Sequence, residues 1–297
     1  RKEKHFLVPK TYKMFVNGNF IRSEQGHVLS YKNGLRVPRA SKKDIRDAVI
    51  AAASALHKWE QYSPFLKSQV IYRMAEMLSG RINEFVAELH KGLVDLSEEE
   101  AKKEIEHTIQ AIFHYAGWAD KFQHIISCVN PVVSSYFCFS IPEPVGILGV
   151  IPSVNEKYGY MAIPVIMIIS AITAGNSVII IAPEANPFPL LSFAEVISTS
   201  DCPPGLINIL TGKLTEILPV LTSHMRVNGL FTTEGEHEIT ALIRANAAIN
   251  VKRFIKATEN EILNFTENSL DLINKLVEIK TIWHPIEWIP ELSPGKY

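Results

Sequence analysis

Charge-free, β-branched runs at residues 145–151 and 178–181 stand out from an otherwise mixed chain. A strand covered on both faces reads this way, because neither row of side chains meets water. Between the two runs lies an apolar segment of helical length, ended by Gly175 and Asn176, a helix stop. Strand, helix, strand predicts a right-handed crossover in a parallel sheet. A helix is predicted over 191–198 and broken by Pro203, Pro204 and Gly205. Further strands are expected at 206–210, 227–231 and 251–257, with helices at 214–221 and 236–248.

The first half of the chain changes period. Residues 12–21 read as two short strands across Asn17 and Gly18, a pair that suits a type I′ hairpin. Ser41 reads as the N-cap of a helix whose apolar stripe is Ile45, Ala48, Val49, Ala52 and Leu56, with Trp59 following it. Amphipathic helices are expected over 68–79, 81–89 and 105–122, with Glu98, Glu99 and Glu100 as a solvated helix start. Residues 132–141 alternate as a strand or hairpin near Cys128 and Cys138. A last amphipathic helix is expected over 269–278, with Leu270, Ile273 and Val277 on one face.

Composition narrows the class. Thirty basic and 31 acidic residues leave a net charge of −1, which gives nucleic acid no electrostatic footprint. The apolar segment 161–172 is shorter than the roughly 20 residues a membrane span needs. Three cysteines in no zinc-like spacing point to a reducing, intracellular compartment, cytoplasmic or mitochondrial. The histidines His224, His237 and His284 lack ligand spacing, and no P-loop or Ser-His-Asp pattern is readable.

The motifs Glu143-Pro144-x-Gly146, Ala174-Gly175-Asn176-x-Val178, Pro183, Pro204-Gly205-x-x-Asn208, Gly212 and Phe231-Thr232 fall in one order. That frame resembles the nucleotide-binding half of the aldehyde dehydrogenase superfamily. His114-Tyr115-Ala116-Gly117-Trp118-Ala119-Asp120-Lys121 and the Asn17-Gly18 hairpin extend the likeness. The pattern most resembles the cysteine-less second module of duplicated, family-16-type aldehyde dehydrogenases. The resemblance implies a Rossmann-like α/β fold: a parallel sheet with helices on both faces, an N-terminal hairpin and a small oligomerisation sheet. It implies a hairpin arm over 1–30 and a nucleotide-binding domain over 31–297, truncated, without the catalytic domain.

Set against the family, the chemistry is missing. The catalytic cysteine would follow residue 257, yet no cysteine follows Cys202, which reads as an incidental loop residue. Ala257 falls at the general-base glutamate, with Glu259 two positions away. Ala182 falls at the ribose-binding lysine and Ala185 at the ribose glutamate, with Glu184 one residue off. Thr233 and Glu234 replace the glycine and serine at the pyrophosphate helix, adding bulk and a negative charge where a dianion would sit. Ser153, Val154 and Asn155 follow Pro152 where the oxyanion asparagine belongs, and Val154 holds the register.

These departures predict no catalytic residue, no bound cofactor and no metal. The expected function is a non-catalytic, aldehyde-dehydrogenase-like pseudoenzyme, a structural or regulatory subunit of a larger assembly. The other reading is a nucleotide-binding component of an NAD(P)-dependent enzyme whose catalytic cysteine lies on another chain. Other protein chains are the expected partners, as a homo-oligomer or a larger complex, without a membrane span. The apolar run of Ile282, Trp283, Ile286, Trp288 and Ile289 reads equally as packing on its own sheet or as a contact with another chain.

Overall fold

The protein is described from a computed structural model covering residues 10–32, 34–91, 95–133, 135–154, 158–233, 235 and 237–286. It opens with β1 (Met14–Val16) and β2 (Asn19–Ile21). Asn17 and Gly18 between them have φ of 52° and 74°, the two positive values a type I′ turn requires. A two-stranded hairpin, β3 (Val28–Ser30) and β4 (Arg36–Pro38), leads into α1 (Lys42–Glu60). Ser41 and Asp44 form a reciprocal capping box at its start. Trp59 lies inside the last turn of α1, fully buried, rather than after the helix. The helices α2 (Pro64–Ser79), α3 (Ile82–Leu89), α4 (Glu98–Trp118) and α5 (Phe122–Ile126) follow. The acidic run is the first turn of α4, capped by Ser97 and Glu100, so this helix begins about two turns before the expected start at residue 105.

β5 (Cys128–Asn130) and the long β6 (Tyr136–Pro144) lead into β7 (Ile147–Ile151). Then come α6 (Ala162–Thr173), β8 (Ser177–Ile181), α7 (Phe188–Ser198) and β9 (Ile207–Leu210). The chain continues through α8 (Leu214–Ser223), β10 (Gly229–Thr233), α9 (His237–Ile249) and β11 (Arg253–Ala257). It ends in α10 (Glu259–Leu263), α11 (Phe265–Lys275) and β12 (Val277–Pro285). Val277 and Glu278, predicted as helix, open β12 instead. Val277 fits the apolar face after Ile273, but a nine-residue antiparallel ladder with β6 takes it into a sheet.

The main sheet has the order β11-β10-β7-β8-β9-β1-β2. The strands from β11 to β9 are parallel, as the charge-free runs predict, and β1 adds antiparallel to β9. Side chains alternate between two cores. Leu148, Val150, Val178 and Ile180 enter the core under α2, α4, α6 and α7. Ile147, Ile151, Ile179 and Ile181 enter the one under α1, α8 and α9. Both faces are covered, which is why these strands carry no charge.

The family-like glycines and asparagines hold the corners. Gly146 has φ +125°, and a Cβ there would lie 2.6 Å from Asn228 Oδ1, so no larger residue fits. Asn176 is fully buried and accepts from Gly146 N at 2.9 Å. Its amide donates to Ala171 O and, at 2.9 Å, to Leu276 O just before β12. Asn208 likewise accepts from Asn17 N and donates to Gly205 O at 2.6 Å. These residues of the motif frame do structural work.

β12, β6 and β5 form a separate three-stranded sheet, with β12 on one edge. The tail thus packs on its own chain as a strand and still leaves Trp283 57% and Ile286 55% exposed. Trp288 and Ile289 lie outside the described residues. No helix among the described residues is long and apolar enough to cross a membrane.

Candidate functional site

Counting outward from β7, the sheet runs to β8 and β9 on one side and to β10 and β11 on the other. The crevice between the carboxyl ends of β7 and β10 is therefore the topological switch point, where open α/β sheets bind ligands. A cavity of about 320 Å³ lies there. Its walls are Ile151 and residues 152–154 after β7, Pro183, Glu184 and Ala185 after β8, and Leu214 and Thr215 at the start of α8. Tyr160, Thr232, Gly235, and Ile239 and Thr240 of α9 complete it.

The loops leaving β7 and β10 are laced together across this crevice. Thr233 is fully buried. Its hydroxyl donates to Ser153 O at 2.7 Å and accepts from Ser153 N at 2.6 Å. Thr232 adds a bond to Ile151 O at 2.9 Å. The chain then passes so close to Ser153 that a Cβ on Gly235 would lie 2.9 Å from its hydroxyl oxygen. A glycine at 233 would leave the Ser153 N–H free for an anion; the threonine hydroxyl takes that N–H itself.

Glu184 is committed elsewhere. Its carboxylate accepts from Leu214 N and so caps α8, which lacks a cap of its own. Its carbonyl accepts from Tyr31 OH at 2.8 Å. Burial, with Glu184 second, pushes the Tyr31 phenol up to about 12. This anchoring was not read from the sequence, where Glu184 is only a carboxylate one residue out of register.

The other expected positions separate. Ala185 lines the cavity with a methyl group. Ala182 is buried beneath it, its N–H donating to Leu210 O at 2.9 Å. Ala257 ends β11, in register beside Thr233. Directly after it, Thr258 and Glu261 form a capping box that starts α10, and Lys275 pairs with Glu261 at 2.9 Å. A helix start thus stands where the family has a glycine turn. Glu234 and Asn155 lie outside the described residues. Cys202 sits in the turn before β9, at the amino ends of the strands, roughly 13 Å or more along the sheet from the cavity. Burial pushes its thiol well above the ordinary range, the opposite of an activated nucleophile.

The described lining of the cavity contains no thiol, imidazole or amine. The Tyr160 phenol is shifted up by burial and, secondarily, by Glu259 and Glu104, so it is no base at neutral pH. No cluster of three or more His, Cys, Asp or Glu among the described residues could hold a metal ion.

Comparison with known proteins gives these features a family context. The family model described as "Aldehyde dehydrogenase family" matches residues 27–265. Omega-crystallin of Enteroctopus dofleini is 29% identical over 256 residues, 82% of this chain and 50% of that protein. An aldehyde dehydrogenase of Emericella nidulans is 26% identical over 276 residues, 89% of this chain and 53% of that one. The NAD+ complex of an aldehyde dehydrogenase from Bacillus cereus superimposes with a TM-score of 0.76 at 23% identity, over 84% of this chain and 51% of that one. The chain spans about half the length of the curated relatives it matches.

Proposed function

The chain belongs to the aldehyde dehydrogenase family, and from that membership we propose that these residues act without catalysis, as a structural or regulatory subunit of a larger protein assembly. One observation carries this reading. The Thr233 hydroxyl binds both backbone groups of Ser153 across the switch-point crevice and so takes an N–H that a dinucleotide pyrophosphate would need open. A dinucleotide does not fit the residues present. Ala182 and Ala185 offer its ribose no hydrogen bond, and each such bond is worth roughly 1–3 kcal/mol when charge-assisted. Glu184, which lines the cavity, is spent on capping α8. Among the matched relatives, proteins named omega-crystallin stand beside proteins named dehydrogenase, which agrees with a use for this fold apart from turnover.

The three-stranded sheet supports a protein partner. Among the described residues β12 leaves one edge of that sheet unpaired, and exposed apolar residues stand on it. Such an edge is a template for another chain.

Calorimetric titration with NAD and with NADP tests the proposal. No saturable heat is expected with either. Saturable binding in the micromolar range would overturn it in favour of a nucleotide-binding component that works with a catalytic cysteine on another chain. Thiol-dependent aldehyde oxidation lost in Cys202→Ser would overturn both.

A further inference from the structure

Away from the crevice, two thiols share one face of the three-stranded sheet. We infer that Cys128 of β5 and Cys138 of β6 form a binding site for a single soft monovalent metal ion, Cu(I), held between two thiolates. The register pairs Cys128 with Ser140 and Asn130 with Cys138, so all four side chains stand on the same face and the cysteines are diagonal neighbours. Both sulfurs converge on the Asn130 amide. Cys128 Sγ lies 3.5 Å from its Oδ1, and Cys138 Sγ lies 3.6 Å from its Nδ2. That amide does not depend on the thiols, because Nδ2 also donates to Ser140 Oγ at 2.9 Å. Cys128 is exposed and Cys138 is buried, so one thiol meets an incoming ion and the other shelters it.

Distance selects the bridge. Diagonal partners have Cα atoms roughly 7–8 Å apart, whereas a disulfide holds them within about 6.8 Å. The pair is therefore too wide for a direct bond. An ion between the sulfurs adds reach: two metal–sulfur bonds of about 2.3 Å place them about 4.6 Å apart instead of about 2 Å. The donor count then selects the ion. Zinc takes four ligands, and no third His, Cys, Asp or Glu among the described residues joins these two. Two thiolates alone suit Cu(I), a soft ion that thiolates select. On binding, each S–H gives its proton to solvent and a copper–sulfur bond forms in its place, with no change of oxidation state. The ion would fasten β5 to β6 in the sheet whose outer strand carries Trp283, the residue opposite Cys138.

The test is an anaerobic titration of the whole chain with Cu(I) in competition with the chromogenic chelator bicinchoninate. The chain should withdraw a single ion. Trp283, opposite Cys138, should report it by quenched emission, read as the difference between the parent and Trp283→Phe. Cys128→Ser and Cys138→Ser should each weaken binding roughly a hundredfold or more, and Cys202→Ser should leave it unchanged. Zn(II), titrated alike against a zinc chelator, should bind far more weakly. No withdrawal of Cu(I), unchanged affinity in Cys128→Ser, or zinc bound as tightly as copper overturns the inference. Melting temperatures verify folding, and if the variant at the buried Cys138 unfolds, Cys128→Ser decides alone.

Discussion

Glu104, on α4, accepts the N–H of Met161 at 2.7 Å, 57 residues further along the chain. Its same oxygen takes Ala162 N at 3.1 Å. The carboxylate is fully buried and stands in for the side-chain cap that α6 lacks. This contact sets the first turn of the helix that crosses from β7 to β8, and so the wall of the switch-point crevice.

Glu104→Ala should therefore destabilise the protein by about 3 kcal/mol, since the buried N–H groups of Gly159, Met161 and Ala162 lose their acceptor. Glu104→Gln keeps a carbonyl acceptor for them and should stay within about 1 kcal/mol. Burial shifts the Glu104 carboxyl up, against the backbone hydrogen bonds from Met161, Gly159 and Ala162. Its stabilising contribution is thus full below the unfolded glutamate value, near pH 4.3, and is lost as pH rises through the higher folded value. Urea melts across this range should show Glu104→Gln gaining on the parent as pH increases. An alanine variant as stable as the parent would refute the capping role.

An opposite sign is expected at the seam between α4 and α11. Trp118 Nε1 lies 3.0 Å from His114 Nε2, and an indole N–H can only donate, so that ring nitrogen carries no proton. Ser269 of α11 meets the same nitrogen at 2.9 Å. Burial, then the charge of Lys121, shifts His114 down. Its contribution is present above the unfolded histidine value, near 6.5, and is lost as pH falls through the lower folded value. Hydrogen exchange at the Trp118 indole should accelerate over that interval. Histidine resonances showing His114 titrating above the ordinary value would contradict this.

What was legible in the sequence followed from local rules. The runs at 145–151 and 178–181 are strands because alternate side chains enter two different cores. Asn17 with Gly18, and Ser41 with Asp44, encode a turn and a cap within four residues. What was missed depends on distant partners. Glu104 sits in the buried stripe of α4, an acid among Ala101, Ile105 and Thr108, which is a signal, but its two N–H donors are far along the chain. Val277 obeys the helix period until β6 claims it. At the crevice, Thr233 was readable as added bulk; that it would bond both backbone groups of Ser153 was not.

The edge of the three-stranded sheet should carry a protein contact. Trp283 lies opposite Cys138 on β12 and is covered only in part, with the Tyr136 ring 6.0 Å away. Ile279 is 53% exposed, two residues along β12 from Thr281, which pairs with Ser140 of β6. Trp283→Arg places a charge on that surface without disturbing a packed core. Light scattering should show a lower solution mass than the parent, with the melting temperature little changed. A parent that is monomeric throughout would remove this support for the proposed assembly role.

If the crevice is disabled by particular side chains, restoring them should restore a ligand. The combined variant Ala182→Lys, Ala185→Glu and Thr233→Gly returns two polar groups for a ribose and unlaces Ser153 from β10. Each charge-assisted hydrogen bond is worth roughly 1–3 kcal/mol, and about 1.4 kcal/mol is tenfold in affinity. Two of them should therefore raise affinity for NAD by roughly two orders of magnitude or more. Thr233→Gly alone frees Ser153 N–H but supplies no ribose partner, so it should give a much smaller gain. It should also cost stability, by about 1–2 kcal/mol, because a buried hydrogen-bonded side chain is lost. Calorimetry on the parent, the single variant and the combined variant separates these contributions. Equal, absent binding in all three, with folding intact, would mean that something other than these positions closes the crevice. Tight binding already in the parent would mean that Thr233 does not close it at all.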